Sequence, residues 1–321
     1  MIEAAIFGLG RWGRALVEAS GGGLRFTRAV EPSMEAASGF CAQQGLRLST
    51  QAEVLADPAI RAVVLATPHS LHRAQVEAAA AAGKAVFCEK PLALSTADAR
   101  AMLGACRAAG VPMAVGHNRR FWPAIRALRG MIAEGSLGQL LHIEAHNSNL
   151  NSDSVTGGWR LAPGESPGGG MTGAGLHALD ACIGLFGPLK RVTARLMEHP
   201  PVPAPRDSIS VILEFANGTS GMMATIRATP FFWRVHVFGT EGSAEVLGET
   251  EMVVRRANAA PERITFPAED SLRAELDAFA AQVEHGAAPA ISERNVLATM
   301  IGFEAVVSSI NAEAPIDCDE P

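Results

Sequence analysis

Short apolar runs that alternate with alanine-rich helical ones constrain this chain more than any other feature. From Met1 to about Val115 the runs AAIF, LRFTRAV, AVVLAT, AVFCE and PMAVG are separated by RALVEAS, SMEAASGFCAQQ, LHRAQVEAAAAAG and TADARAMLGACRAAG. Strand and helix in regular alternation mean βαβ units and a parallel sheet. The strand runs are apolar on both faces, as strands are when helices cover each side. The expectation is a doubly wound α/β half.

After Phe121 the rhythm changes. A helical run, PAIRALRGMIAEG, leads to a strand-like QLLHIEAHNSN and then to TGGWRLAPGESPGGG, too rich in Gly and Pro for a core strand. A long loop of this kind suggests a site. The helical run MTGAGLHALDACIGLF follows, then RVTARLMEH, DSISVILEF, TSGMMATIRA, WRVHVFG and SAEVLG, joined in part by the hairpin signal Asn217-Gly218. These runs predict a mostly antiparallel sheet. Two amphipathic helices end the chain. The first carries Leu272, Leu276, Phe279 and Val283 at helical spacing and stops at Gly286; the second begins at a Ser cap.

At 321 residues the chain exceeds the usual single domain, so two cores are expected. The boundary predicted from the change of rhythm gives residues 1–121 and 122–321, with the C-terminal helices able to pack back onto the first domain. No apolar stretch approaches the roughly 20 residues needed to span a bilayer, so no membrane partner is expected. No basic segment followed by an apolar one opens the sequence, so a standard signal peptide is not expected. The five cysteines are scattered, without a CxxC pair, which predicts reduced thiols and a cytoplasmic setting. Net charge is −6 with Lys and Arg dispersed, so nucleic acid is not the expected partner.

Gly8, Gly10 and Gly13 form GxGxxG between a strand and a helix. The first glycine permits the tight turn, the second lets the backbone approach a pyrophosphate, and the third lets helix pack closely on strand. The helix N-terminus adds N–H groups and a positive dipole. Alone, the motif is equally a plain strand-to-helix turn. The next strand ends at Glu31, about twenty residues on, where a carboxylate accepts from ribose hydroxyls and repels a 2′-phosphate. Together these features predict dinucleotide binding, with NAD favoured over NADP.

In CEKPLAL, Lys90 follows a strand directly and precedes Pro91. Ligands of open α/β sheets lie beyond the carboxyl ends of the strands, which would bring Lys90 to a nicotinamide. There it would transfer a proton or donate to a substrate oxygen. A surface lysine is the plainer alternative. Pro91 makes a cis Lys90-Pro91 bond possible, although trans is the statistical default.

The succession GLGRWG, a strand ending in Glu31, ATPHSLH, CEKPLA, GHNRRF, GGGMTGAGLHALD and FGTEGSAEV resembles the Gfo/Idh/MocA family, named for glucose-fructose oxidoreductase, inositol dehydrogenase and rhizopine catabolism. The match runs over nearly the whole chain. It implies an N-terminal NAD(P)-binding Rossmann domain and a C-terminal α+β domain whose open sheet often forms oligomer interfaces, hence a homodimer or homotetramer. It also implies hydride transfer to or from a hydroxyl or carbonyl carbon of a sugar, inositol or related polyol. Lys90 falls on the family's catalytic lysine, and His177, in Gly175-x-His177-x-x-Asp180, on its catalytic histidine. Cofactor contacts are implied at Gly8, Gly10, Arg11, Trp12, Gly13, Glu31, Thr67, Pro68, His72, Glu89 and Lys90. Substrate contacts are implied at Asn118, Arg119, Trp159, Arg160, Thr172 and His177.

One departure stands out. Members with a full acid–base set usually carry Asp two residues before the motif glycine, where this chain has Gly173. His177 would then act without that partner, or the protein would be a weakened, dinucleotide-dependent sensor or regulator. The alternative for His177 is a packed helix histidine. The arginines Arg119, Arg120 and Arg160 would clamp a carboxylate or phosphate, or form surface ion pairs. His69 and His72 are spaced i,i+3 with no third ligand nearby, so no metal is expected. Tyrosine is absent, which excludes a Tyr-Lys hydride-transfer site.

Overall fold

The computed structural model describes residues 1–150, 158–162, 164–199 and 207–321, and divides the chain into two units. Part of the Gly/Pro-rich loop, including Thr156, Gly157 and Pro163, lies outside the described residues.

The first unit comprises Met1–Asn118 and Asp270–Glu293. Its strands β1 (Ile2–Phe7), β2 (Leu24–Val30), β3 (Arg47–Leu48), β4 (Ala62–Leu65), β5 (Ala85–Glu89) and β6 (Met113–Gly116) form a parallel sheet in the order β3-β2-β1-β4-β5-β6. Between them run α1 (Arg11–Ala19), α2 (Met34–Gln44), α3 (Gln51–Ala56), α4 (His72–Ala81) and α5 (Thr96–Ala109). The chain moves outward from β1 to β3 and then returns to β4 on the other side of β1. That reversal opens a crevice beyond the carboxyl ends of β1 and β4.

In the second unit, Arg119–Glu269 and Arg294–Pro321, α6 (Pro123–Ala133) leads to β7 (Leu140–Ser148). The π-helical turn Met171–Gly175 then runs straight into α7 (Leu176–Phe186). Seven strands follow: β8 (Leu189–Glu198), β9 (Asp207–Phe215), β10 (Ser220–Ile226), β11 (Phe232–Gly239), β12 (Gly242–Leu247), β13 (Glu251–Arg255) and β14 (Glu262–Thr265). Helix α8 (Ser271–His285) belongs to the first unit and α9 (Glu293–Ala312), after its first residue, to the second, where the short β15 (Ile316–Asp317) completes a nine-stranded sheet. The sheet is antiparallel except where β7 pairs with β10. Along β9, buried Ile209, Val211, Leu213 and Phe215 alternate with more exposed Ser208, Ser210, Ile212 and Glu214, the period of a sheet covered on one face.

The division departs from a contiguous boundary at 121/122. The chain changes unit at Asn118/Arg119, and α8 counts with the first unit, where Leu276, Phe279 and Ala280 join the core built on Ile6, Val64 and Phe87. The expectation that no segment approaches membrane-spanning length also needs correction. Helix α9 has 20 residues and is long and apolar enough by composition to cross a bilayer. It is a core helix of the second unit, with Val296, Leu297, Met300, Ile301, Phe303 and Val306 buried.

Candidate functional site

The glycine turn shows three separate physical roles. Gly8 sits at φ +89°, and a Cβ there would lie 2.6 Å from the Ala66 carbonyl oxygen. A Cβ on Gly13 would fall 1.9 Å from the Gly8 oxygen, so both positions exclude a side chain. At Gly10 nothing lies within 4 Å of that point. The space above Gly10 is open, as a phosphate cradle requires.

Gly10 caps α1 without a side-chain hydrogen bond, and no acidic residue occupies the first turn. The first intrahelical bond runs from the Arg14 N–H to the Gly10 oxygen, 3.1 Å. The N–H groups of Arg11, Trp12 and Gly13 precede it and face the end of the helix, where the dipole favours an anion. Arg11 is exposed. Glu31, just past the end of β2, accepts from the Leu9 N–H at 2.7 Å through Oε2, which places its carboxylate beside the turn.

Thr67 and Pro68 follow β4 at the other side of the crevice, with the Thr67 hydroxyl donating to Gln75 Oε1 at 2.6 Å. His72 does not line open space. It is 0% exposed, with Nε2 3.1 Å from the Thr67 oxygen and Nδ1 3.1 and 3.2 Å from the Pro91 and Leu92 oxygens. Its role is to tie the loop after β4 to the loop after β5, which corrects its reading as a cofactor contact.

Lys90 is half-buried at the end of β5 and joined to Pro91 by a cis bond. Its neighbour Glu89 is buried, and a Cβ on Gly116 would lie 2.5 Å from Glu89 Oε1. Burial pushes the Glu89 carboxyl up to about 7, against the opposing pull of the Trp12 indole and the Lys90 ammonium. Trp12 Nε1 lies toward this carboxylate without closing a hydrogen bond of normal geometry. Glu89 thus lies beneath the crevice, packed against Trp12. Asn118, also buried, donates through Nδ2 to Ser271 Oγ at 3.1 Å at the start of α8.

In the second unit His177 lies in the first turn of α7, 9% exposed, just after the π-helical turn. Such turns expose backbone groups that need outside partners. Here Asn147 of β7, fully buried, donates to the Ala174 oxygen at 2.6 Å. Thr172 is 2% exposed and donates to the Pro167 oxygen at 2.6 Å, so it holds the loop, which corrects its reading as a substrate contact. A Cβ on Gly173 would meet nothing within 4 Å. Asp180 is clamped by Arg120, whose Nε and second guanidinium nitrogen donate to its two oxygens at 2.8 and 2.7 Å, and the Thr299 hydroxyl adds a bond at 3.3 Å.

Arg119 is not presented as an anion clamp either. Its guanidinium lies 4.4 Å from the centre of the Trp233 ring and 4.9 Å from that of Trp122. Burial there pulls it down to about 9. Arg160 stacks on Trp159 at 4.3 Å and, with Ser166 and Arg227, borders an open cleft of about 240 Å³. Among the described residues no cluster could hold a metal ion.

Arg120 does clamp a carboxylate, that of Asp180 within its own unit, whereas Asn147 and Glu275 were not picked out from sequence. Glu275 alone left a sequence signal: it falls on the apolar stripe of α8, three residues after Leu272 and four before Phe279. It is 3% exposed and neither of its oxygens has a partner.

The sheet order and the glycine cradle define the first unit as a dinucleotide-binding Rossmann fold, carried in one chain with a second α+β unit. Residues 2–117 match the family profile described as oxidoreductase family, NAD-binding Rossmann fold, and residues 125–245 match the GFO/IDH/MocA C-terminal domain. The chain belongs to the GFO/IDH/MocA oxidoreductase family. It is 31% identical over 208 residues to trans-1,2-dihydrobenzene-1,2-diol dehydrogenase of Bos taurus, covering 63% of this chain and 61% of that protein. It is 34% identical over 171 residues to 1,5-anhydro-D-fructose reductase of Ensifer adhaerens, covering 53% of this chain and 50% of that one. The chain thus spans less than two thirds of the length of these two relatives. Levoglucosan dehydrogenase in complex with NADH and L-sorbose superimposes with a TM-score of 0.90 at 23% identity, over 100% of this chain and 99% of that one, which shows a shared fold.

Proposed function

We propose that the protein is an NAD-linked oxidoreductase acting on a hydroxyl carbon, or the matching carbonyl, of a sugar, inositol or related polyol. The observation that carries this reading is Lys90, half-buried at the carboxyl end of β5, on the same edge of the sheet as the glycine cradle. When bound, NAD supplies a hydride acceptor and NADH a hydride donor. The N–H groups of Arg11, Trp12 and Gly13 would hold the pyrophosphate and Glu31 the adenosine ribose, with its negative charge disfavouring NADP. Lys90 polarises the reacting oxygen and His177 exchanges its proton; an imidazole suits that task near neutral pH.

Family membership and the dehydrogenase and reductase names of the curated relatives support this reading. The test is turnover of a panel of sugars, inositols and anhydrosugars with NAD and with NADP. Lys90→Met and His177→Ala are each expected to lower kcat/KM by about 100-fold or more. Activity within a few fold of the parent would overturn the assignment of that residue, and a parent that prefers NADP would overturn the reading of Glu31.

Gly173 favours a second reading, a dinucleotide-dependent sensor that has lost turnover. Tight NADH binding without turnover of any member of the panel would select it. We also propose a homo-oligomer built on the uncovered face of the large sheet, supported by exposed Ile212 and Met222. Ile212→Glu would split such an assembly in a light-scattering measurement, and an unchanged mass would overturn the placement. A cytoplasmic setting is proposed from the free cysteines, four of them buried.

A further inference from the structure

The first unit buries two carboxyl groups that the proposed chemistry does not use in full. Phe87 of β5 and Phe279 of α8 meet edge to face, with ring centroids 5.8 Å apart. Glu89 lies two residues further along β5, on the same face as Phe87 and about 6.6 Å on. Glu275 lies one turn back along α8, on the same face as Phe279 and about 6 Å away. The phenylalanine pair therefore brings the two carboxyl groups to one end of the same packed interface. Glu275 sits where the charge of Glu89 is felt, and Trp12 of α1 packs against the same core.

Glu89 Oε2 accepts from the Lys90 backbone N–H at 3.2 Å. Glu89 Oε1 and both oxygens of Glu275 have no hydrogen-bond partner in the structure. Two ionised carboxylates at this depth would repel one another and would each forfeit hydration. A single proton removes one charge and turns one orphan acceptor into a donor. The charged groups felt by the pair are Lys90 beside Glu89 and Asp270 at the start of α8, and the titratable His117, also buried, directly follows Gly116 at the end of β6. Gly116 of β6 contributes no side chain, and Trp12 contributes only its indole. Asp270 is already committed to the Leu272 and Arg273 N–H groups, both at 3.1 Å.

We propose that Glu89 and Glu275 share one proton, the Glu275 carboxyl donating to the Glu89 carboxylate, so that a single negative charge is held beside Lys90 and fixes its charge state. Glu275 is on this account a positioning residue. The pull on both groups has the matching sign: burial and the neighbouring Glu89 and Asp270 drive Glu275 well above the ordinary carboxylate range. The consequence for catalysis rests on the reading of Lys90 as the acting lysine; the shared proton itself does not.

The test uses the full chain without substrate. Infrared spectra at about pH 8.5, above the range in which Glu89 alone would hold a proton, are expected to show the C=O stretch of a protonated, buried carboxylic acid, which disappears on further alkaline titration and is absent from Glu275→Gln. Nuclear magnetic resonance of isotope-labelled lysine ε-carbons, with Lys90 assigned through Lys90→Met, is expected to show Lys90 titrating at lower pH in Glu275→Gln than in the parent. The reason is that the parent pair becomes doubly charged at high pH and the variant pair cannot. A parent without the acid band overturns the shared proton, and an unmoved Lys90 titration overturns its control of the lysine. If Glu275→Gln does not fold, the parent's band alone decides the first point, and Glu275→Asp supplies the comparison for the second, with the Lys90 titration expected to shift. Failure of the oxidoreductase reading would show as absent turnover with both spectroscopic results intact.

Discussion

At Gly10 and Gly13 one added methyl group has opposite consequences. A Cβ on Gly13 would overlap the Gly8 carbonyl at 1.9 Å, a backbone atom that moves only with the turn, whereas on Gly10 it would project into open space. Gly13→Ala is expected to lose about 1–3 kcal/mol of stability from overpacking. Gly10→Ala should keep the parent's thermal midpoint and bind NADH roughly tenfold more weakly, a change of about 1.4 kcal/mol, by isothermal calorimetry. Equal NADH affinity for Gly10→Ala and the parent would show that the open space does not receive the cofactor. The GxGxxG spacing and Glu31 were legible because they depend on local backbone needs. His72, Thr172 and Arg119 were not: a sequence shows that a polar side chain exists, while burial and tertiary carbonyls or rings decide what it touches. The buried carboxyl pair adds a pH dependence at this scale. The folded-state pKa of Glu89 is raised from 4.5 to about 7, so its contribution is fully present below 4.5 and lost as pH rises through 7. Urea midpoints should therefore fall across that window, and Glu275→Gln should flatten the slope.

Helix starts and hairpin turns carried much of the legible sequence signal at the level of the element, and the π-helical turn carried least. Ser95 accepts from the Asp98 N–H at 3.1 Å at the head of α5, and Ser95→Ala is expected to cost about 1 kcal/mol in chemical denaturation. Asn217-Gly218 does close the hairpin between β9 and β10, but only Gly218 has positive φ, +84°. The Asn217 carboxamide oxygen accepts from the Thr219 N–H at 3.0 Å, and the turn is wider than the two-residue form that dipeptide favours. In MTGAG the helical pattern predicts α-helix throughout, because nothing local distinguishes a π turn from the α turn that follows. The distinction depends on Asn147, on a strand more than twenty residues earlier, reaching the Ala174 oxygen. Asn147→Ala would leave that oxygen buried without a donor, at a cost of about 1–3 kcal/mol. Under the oxidoreductase reading it should also lower kcat more than it raises KM, because the turn it releases leads directly into His177. A variant with parental kcat would separate the π turn from the placement of the histidine.

Over the whole molecule, helix α8 shows how far the first core depends on distant sequence. Gly21, Gly22 and Gly23 read locally as a flexible loop, yet a Cβ on Gly22 would lie 1.9 Å from Asp277 Oδ1 and one on Gly23 2.6 Å from the Ala280 Cβ. The Gly23 N–H donates to Asp277 Oδ1 at 2.9 Å. The glycine run is therefore a seat for α8, a fact no window around residue 22 contains. Leu276 and Phe279 are each 1% exposed and pack with Ile6, Val64 and Phe87. Burial of side chains of this size contributes roughly 1.5–3 kcal/mol each, against a typical net stability of only about 5–15 kcal/mol for a domain. A fragment ending at residue 121 lacks both residues and exposes the sheet face they cover, so it should not unfold cooperatively or bind NADH. Residues 1–118 joined by a flexible linker to 270–293 should recover a cooperative transition and NADH binding, because the helix then returns to its seat on the glycine run. If the shorter fragment melts cooperatively on its own and binds NADH as the full chain does, α8 is an accessory to a core that the first 121 residues complete by themselves.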